Sequence, residues 1–197
     1  MDTYDSIAED FQQVIELISV SVDTLAEPLE RSVNACSQAL LGENKILCCG
    51  NGPGAAVSQI FSAGMIHRFE QERPALPALC LSGDGATLSA IATAATNEIY
   101  SRQVRALGQG GDVLLAVAAG DGNGSIIQAI RAAHERDMVV ILLSGGDCTD
   151  VSSLMLPEDI EIYVSTNSPA RIVEMQTMIV HCLCKLIDQT LFGSFTT

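Results

Sequence analysis

Three glycine-rich turns carry most of the side chains that could bind a ligand in this sequence. They read GNGPG at residues 50–54, GDG at 83–85 and GDGNG at 120–124, and each follows an apolar run. Glycine lets a backbone approach a ligand closely, and the N–H groups at the start of a helix attract anions. We therefore predict a ligand cleft formed by Asn51, Gly52, Gly54, Asp84, Gly120, Asp121 and Asn123.

Two other interpretations of these turns stay open. A dinucleotide site needs GxGxxG and an acidic residue that ends the second strand, and neither pattern is met. Alternatively, the glycines only turn the chain. Asp84 is either a polar cleft residue or a turn former, and Asp121 is either an acceptor for a changed ligand or a solvated loop acid.

Histidine and cysteine are the remaining candidates for chemistry. His181, on the last predicted helix, is a candidate general acid, and a buried, hydrogen-bonded histidine is the alternative on so apolar a helix. His67 and His134 adjoin charged residues and are predicted at the surface. Cys182 and Cys184 form CxC without a second Cys or His pair at metal spacing, so no metal site is predicted.

Five apolar runs are predicted to form the sheet that holds these turns. They cover residues 45–49, 78–82, 113–117, 138–143 and 160–164, with helical segments between them. Continuous apolar strands separated by helices are typical of a parallel sheet covered on both faces. The predicted fold class is α/β, with a doubly wound five-stranded parallel sheet in a single domain.

Apolar residues at helical spacing mark both ends of the chain. Residues 4–26 and 29–41 each follow a helical pattern, and Glu27-Pro28 interrupts it, so residues 1–42 are predicted as a helical hairpin. Residues 43–197 then form the core and the C-terminal helix. The first helix either packs on a partner subunit or caps its own domain. The last helix, about residues 169–192, is apolar nearly all round and is predicted to lie in a subunit interface.

Composition limits the partners and the compartment. The formal net charge of −14 makes direct binding to nucleic acid or to an anionic membrane unfavourable. Seven scattered cysteines, mostly within apolar runs, are typical of a reducing compartment. The acidic N-terminus is unlike a signal peptide, and no apolar run approaches the length of a membrane span. We expect a cytoplasmic protein.

Six stretches in combination resemble the sugar isomerase (SIS) family, in the branch of the phosphoheptose isomerases and the DnaA initiator-associating proteins. They are residues 45–52 (KILCCGNG), 68–74 (RFEQERP), 103–115 (QVRALGQGGDVLL), 156–162 (LPEDIEI), 170–172 (ARI) and 181–188 (HCLCKLID). The resemblance covers nearly the whole chain. It implies a homotetramer with the terminal helices in its interface and the active sites between subunits.

The enzymes of this family, as the resemblance implies, convert sedoheptulose 7-phosphate to D-glycero-D-manno-heptose 7-phosphate through an enediolate. Hydroxyls of the first turn and of a Ser-Thr-Ser-Gly-Asn-Ser loop hold the phosphate. A glutamate on the helix after the first turn and a histidine on the last helix move the proton. Some members bind zinc with these two residues, a second histidine and a glutamine.

Most of these positions are changed in this sequence. The serine of the first turn is Gly54, and the serine-rich loop reads AAGDGN at residues 118–123. The glutamate is Gly64, the second histidine is Ile60 and the glutamine is Val173, so His181 alone keeps its chemistry among these four positions. Asp121 would repel a phosphate. No cofactor is expected, and sugar-phosphate binding is predicted to be weak.

These losses predict a non-catalytic protein that works by binding. The resemblance makes the replication initiator DnaA a candidate partner of the homotetramer, contacted through Leu191 and Phe192 if they are exposed. Helix-end packing is the alternative role for that pair. Two other functions stay open: an active phosphoheptose isomerase with an altered site, and a small-ligand sensor that uses Asp84 and Asp121.

Overall fold

A five-stranded parallel sheet lies between two layers of helices in the computed structural model, which describes residues 2–120 and 122–193. The strands are β1 (Ile46–Gly50), β2 (Ala78–Cys80), β3 (Val113–Val117), β4 (Val139–Gly145) and β5 (Ile160–Val164). Their order in the sheet is β2-β1-β3-β4-β5, and every neighbouring pair is parallel. The predicted α/β class and the five-stranded sheet are confirmed.

The helices divide between the two faces of the sheet. They are α1 (Thr3–Leu41), α2 (Pro53–Ile66), α3 (Gly85–Ala92), α4 (Ser101–Leu107), α5 (Gly124–His134), α6 (Thr149–Ser152) and α7 (Pro169–Phe192). Helices α1, α2 and α7 share one hydrophobic core with alternate strand residues such as Cys48 and Leu115. The intervening strand residues, such as Leu47 and Leu114, form a second core with α4 and α5. Strands β1, β3 and β4 are buried on both sides, as their continuous apolar sequence requires, whereas Leu79 of β2 and Tyr163 of β5 are exposed on the two edge strands.

The prediction of an N-terminal helical hairpin is wrong, because α1 is one helix of 39 residues that contains Pro28. Proline has a helical φ, and it deprives the helix of one N–H and costs about 3 kcal/mol in a helix interior. Burial of Leu25 before the proline, and of Val33 and Cys36 after it, offsets that cost. Although α1 is long, neither it nor any other helix within the described residues is apolar enough to span a bilayer.

Two buried aspartates fasten the loops at the amino ends of the strands. Asp112 accepts hydrogen bonds from the backbone N–H and the ammonium of Lys45, at 2.9 and 2.6 Å. Asp159 accepts from the N–H of Val140 and lies 2.8 Å from Nε2 of His134. His134, predicted at the surface, is half-buried, since its ring bonds to a buried carboxylate while 19% of its side chain stays exposed.

Arg73 joins the end of α2 to α7. Its side chain is buried and donates to the carbonyl oxygens of Gly64 and Met65 at 2.7 Å each. Its Nε donates to Oδ1 of Asp188 on α7 at 2.8 Å. The last carbonyls of a helix lack partners within that helix, and a guanidinium supplies several donors in one plane. Arg73 thus ends α2 and fixes its position against α7.

We predict that Asp188→Asn lowers the free energy of unfolding by roughly 3 kcal/mol, because it leaves a buried guanidinium without its counter-charge. Urea denaturation measures this loss. Glu135→Gln, which breaks the exposed pair between Arg105 and Glu135, serves as the control and should change stability far less. Equal losses in the two variants would contradict the role given to Arg73.

Candidate functional site

The candidate site lies where the carboxyl ends of β1 and β3 meet. Strand order β2-β1-β3-β4-β5 reverses direction between these two strands, and such a switch point is where doubly wound sheets bind ligands. The turn at residues 50–54 follows β1 and the turn at 118–124 follows β3. The structure therefore brings together the two glycine turns that the sequence predicted as a cleft.

Close packing requires the glycines of the first turn. A Cβ at Gly50 would stand 2.4 Å from the carbonyl carbon and oxygen of Gly54, so the chain there tolerates only glycine. Gly52 has a φ of +51°, which favours glycine as well. A Cβ at Gly54 would lie 3.1 Å from the carbonyl oxygen of Val117 on β3. Strand β3 therefore leaves little space for a serine side chain at position 54.

The polar side chains of the two turns bond to the turns themselves. Asn51 donates to Oγ of Ser125 at 2.9 Å and to the carbonyl of Gly122 at 3.2 Å, and the Ser125 hydroxyl donates back to Oδ1 of Asn51 at 3.0 Å. Asn123 is buried and donates to the carbonyl of Gly120 at 2.7 Å. These amides hold the two turns in place, which leaves fewer of their groups for a ligand. Asp121, the other predicted cleft residue of this turn, lies outside the described residues.

Asp84 is the N-cap of α3. Its carboxylate accepts from the N–H groups of Ala86 and Thr87 at 3.0 and 3.2 Å and from the Thr87 hydroxyl at 2.6 Å. The Thr87 hydroxyl, followed by these two N–H groups, holds the pKa of Asp84 below its usual value. The group is ionised at neutral pH and cannot serve as a general acid, and most of its acceptor capacity is used by the helix start.

Tyr100 supports the first turn and was not among the predicted site residues. Its hydroxyl donates to the carbonyl of Gly50 at 2.5 Å, and the Ser82 hydroxyl donates to the same oxygen at 3.3 Å. Burial raises the pKa of Tyr100, so the phenol keeps its proton and stays a donor. A tyrosine in a chain with only three is the one sequence signal that pointed to this role.

His181 is exposed on α7, so the alternative of a buried, hydrogen-bonded histidine is wrong. Its ring packs against that of Phe69, with centroids 5.5 Å apart and planes tilted by 35°. The sequence of α7 is apolar nearly all round, but residue 181 lies on the face of the helix that is turned away from the sheet. His181 is open to solvent, and one imidazole supplies only half of an acid–base pair.

Helices α2 and α7 pack closely at Gly64, the position matched to the glutamate of the family. A Cβ at Gly64 would lie 3.0 Å from Sγ of Cys184, which is itself buried. The other two matched positions carry hydrocarbon side chains, with Ile60 exposed on α2 and Val173 half-buried on α7. Position 64 thus carries no base, and a Cβ there would require the Cys184 sulfur to shift slightly.

Zinc does not fit the residues at the matched metal positions. Gly64, Ile60 and Val173 have no donor atom, and His181 alone offers a nitrogen where zinc sites use three or four protein ligands. Across residues 2–120 and 122–193, no three His, Cys, Asp or Glu side chains are grouped in a way that could hold a metal ion. We derive no step through a metal.

Charge in the cleft disfavours a phosphate dianion. The turns at residues 50–55, 82–87 and 118–125 contain no lysine or arginine, and they contain Asp84 and Asp121. In the first turn, the N–H groups of Gly54 and Ala55 already donate to the carbonyls of Asn51 and Gly52. The arrangement can present a few backbone groups to a neutral polar ligand, but it lacks the donors that a sugar phosphate needs.

Leu191 and Phe192 lie at the end of α7, half-buried. Both contact the core shared by α1, α2 and α7. With Leu40, Leu41, Pro74 and Leu76 they line a shallow apolar groove of about 270 Å³. The pair is neither free in solvent nor fully covered, so helix-end packing and a partner contact are both compatible with its position.

Comparison with known proteins assigns the family. The SIS domain model matches residues 10–145, more than half of the chain. A phosphoheptose isomerase of Chromohalobacter salexigens is 46% identical over 98% of this chain and 99% of its own length. The DnaA initiator-associating protein DiaA of Pectobacterium atrosepticum is also 46% identical, over 95% of this chain and 96% of its own length.

A solved structure agrees with these sequence matches. That of a phosphoheptose isomerase from Francisella tularensis covers 96% of this chain and all of its own, with a TM-score of 0.92 and 34% identity. The chain therefore belongs to the SIS domain family, and the resemblance found in the sequence is confirmed. Because relatives under two different names are equally similar, the choice between catalysis and binding depends on the residues of the site.

The close approach of Gly64 to Cys184 can be measured by a double-mutant cycle. Alanine favours a helix by up to about 1 kcal/mol over glycine, but a Cβ at position 64 meets the Cys184 sulfur. We expect Gly64→Ala to be more favourable by about 1 kcal/mol in a Cys184→Ala background than in the wild type. Urea denaturation of the four proteins gives the coupling, and additive effects would show that α7 leaves room at this position.

Proposed function

We propose that this chain is a non-catalytic SIS protein that works by binding and that associates with the replication initiator DnaA. Glycine at position 64, packed against Cys184, is the observation that carries the proposal, since it removes the base from the cleft. The similarity to a DnaA initiator-associating protein supports the choice of partner. Such a partner would place the protein in the cytoplasm.

The chemistry of the cleft supports a loss of isomerase activity. An aldose–ketose isomerase must remove a proton from carbon, and general acid–base catalysis contributes about 10² to 10⁴ in rate. His181 remains, yet the second member of the pair is Gly64. Hydroxyls are also missing at positions 54 and 118–120, where the family holds the phosphate. The separate losses reduce both turnover and substrate affinity.

An exposed apolar surface supports the homotetramer that we propose as the active form. The first part of α1 exposes Tyr4, Ile7, Phe11 and Ile15, each by more than half. Further along, α1 and α7 form an apolar groove of about 660 Å³, lined by residues that include Val22, Leu25, Leu29, Met178, Cys182 and Leu186. Exposed apolar helical faces of this kind favour burial in an interface, and other subunits of the same protein would bury them.

The end of α7 supplies the surface that we propose for DnaA. Leu191 and Phe192 line the groove with Leu40, Leu41 and Leu76, so a partner side chain inserted there would be enclosed by apolar groups. A tetramer carries four copies of this surface, and several initiator molecules could be held together through it. Multiple contacts of this kind increase avidity without any new interaction.

Purified protein should show little or no turnover of sedoheptulose 7-phosphate, with or without added zinc. The phosphoheptose isomerase of Francisella tularensis, assayed in parallel, is the positive control. We expect kcat/KM at least about 10²-fold below that of the control, from the missing base alone. Detection of the aldose product at a rate within tenfold of the control would establish an isomerase with an altered site and end the proposal.

Binding to DnaA should depend on the end of α7. Leu191→Ala and Phe192→Ala should each weaken binding, measured by surface plasmon resonance, by about tenfold or more if the pair is a binding hot spot. Leu156→Ala, which truncates an exposed leucine elsewhere, is the matched control. Light scattering checks that each variant keeps the oligomeric mass of the wild type. Unchanged affinity in both variants would remove this surface from the proposal.

A further inference from the structure

Cys48 and Cys80 form a thiol pair at the free edge of the sheet. They are direct partners in the register of β1 and β2, and β2 is the edge strand. Cys48 is fully buried, whereas Cys80 is partly exposed. Neighbouring strands lie about 4.7–4.9 Å apart, and disulfides join Cα atoms about 4.4–6.8 Å apart. The backbone already has a spacing at which the two sulfurs can bond.

Polar groups around the pair favour a thiolate at Cys80. Oγ of Ser58 lies 3.3 Å from Sγ of Cys80, and its proton, now directed to the carbonyl of Ala55, can turn to the sulfur. A hydrogen bond with the Cys48 thiol, then those with Ser58 and Ser82, lower the pKa of Cys80 to about 6 although partial burial opposes them. The pKa of Cys48 is raised well above its usual value by the same hydrogen bond and by burial.

Cys80 therefore has the properties of a reactive thiol, and Cys48 has those of the resolving thiol that forms a disulfide with it. The exposed member is the more acidic of the two thiols, and the buried member keeps its proton to higher pH. The nucleophile in thiol chemistry is the thiolate, and its reactivity depends on exposure as well as on pKa. Ionisable groups that influence the pair directly are Cys49, Cys184 and Tyr100, all of them neutral thiols or a neutral phenol at neutral pH.

Small molecules can approach Cys80 from outside the sheet. Cys80 is one of the residues that line a cleft of about 380 Å³ between β2 and the helices α3 and α4, whose walls include Leu79, Ile91, Gln103 and Leu107. Asp84 and Arg102 are the charged residues of the cleft, one of each sign. Among the other cysteines, Cys182 alone is partly exposed, and burial raises its pKa. Cys80 thus differs from every other thiol of the chain.

We propose that Cys80 is a nucleophilic thiol site that reacts with hydroperoxides, and that Cys48 resolves the product as a disulfide. The Cys80 thiolate attacks the outer oxygen of ROOH, the O–O bond breaks, and the sulfur becomes a sulfenic acid while RO⁻ takes up a proton and leaves as ROH. The Cys48 thiol then transfers its proton to the hydroxyl group of the sulfenic acid as its sulfur bonds to the Cys80 sulfur, the S–O bond breaks, and water leaves. Two thiols are oxidised by two electrons, and the hydroperoxide is reduced.

The disulfide would form directly below the candidate cleft. Cys48 precedes Gly50 by two residues, and Ser82, two residues after Cys80, donates to the Gly50 carbonyl. Ser58, which touches Cys80, lies on the helix that the first glycine turn begins. Oxidation would therefore alter contacts on both strands that support the turn. This chemistry is independent of isomerase activity and of any partner.

Mass spectrometry of the full chain tests the pair. After treatment with hydrogen peroxide, a non-reducing digest of the wild type should contain a peptide pair joined through Cys48 and Cys80 and lighter by two hydrogen atoms. In Cys48→Ala the reaction should stop at the sulfenic acid, which dimedone traps on Cys80. Cys182→Ser is the matched control and should leave the cross-link unchanged. Absence of the cross-link from the oxidised wild type would overturn the proposal.

The pH profile of alkylation is a second readout that a merely structural cysteine would not produce. The rate of iodoacetamide labelling at Cys80 should change by less than about twofold between pH 7 and pH 8.5, because that thiol is already ionised. N-acetylcysteine, a free thiol labelled under the same conditions, should react at least about tenfold faster at pH 8.5 than at pH 7. Parallel profiles for Cys80 and the free thiol would overturn the proposal. Thermal unfolding confirms that Cys48→Ala is folded, and Cys48→Ser replaces it if it is not.

Discussion

The contact between α2 and α7, fixed by Arg73, is the constraint on which the rest of the structure depends. One guanidinium bonds to the last carbonyls of α2 and to Asp188 of α7, away from solvent. The cost of burying that charge is recovered only if both helices stay where they are. Because α2 begins at the first glycine turn and α7 closes the same face of the sheet, the position of the cleft is set by this ion pair.

The same contact accounts for the close packing at Gly64, the position matched to the glutamate of the family. Arg73 bonds to the carbonyl of Gly64, and at that residue the two helices approach until a Cβ would lie 3.0 Å from the Cys184 sulfur. A smaller residue at position 64 permits tighter packing, and packing stabilises the fold whether or not the cleft binds a substrate. In the turns, Asn51 and Ser125 likewise bond to each other. Groups suited to a ligand serve the protein's own stability.

Most of the fold could be predicted from the sequence, because four of its five strands are apolar runs that lead into glycine turns, and α7 was predicted with its observed bounds. Three features could not. Pro28 was interpreted as a helix break because the local rule for proline takes no account of burial. In the structure, buried residues before and after Pro28 keep α1 continuous. Helices α4 and α6 are too short, at seven and four residues, to show a period. The exposure of His181 depends on which face of α7 meets the sheet, and an all-apolar pattern does not determine a face.

Prediction from the sequence was more limited for the candidate site than for the fold. Sequence placed the two glycine turns side by side, because adjacent parallel strands end at one edge, but the partners of each polar side chain are set by tertiary contacts. Overall identity cannot settle function either, since it is equal toward an isomerase and toward an initiator-associating protein. Whether a proton can be moved depends on a few positions, and position 64 of this chain holds a glycine, which has no side chain to accept one.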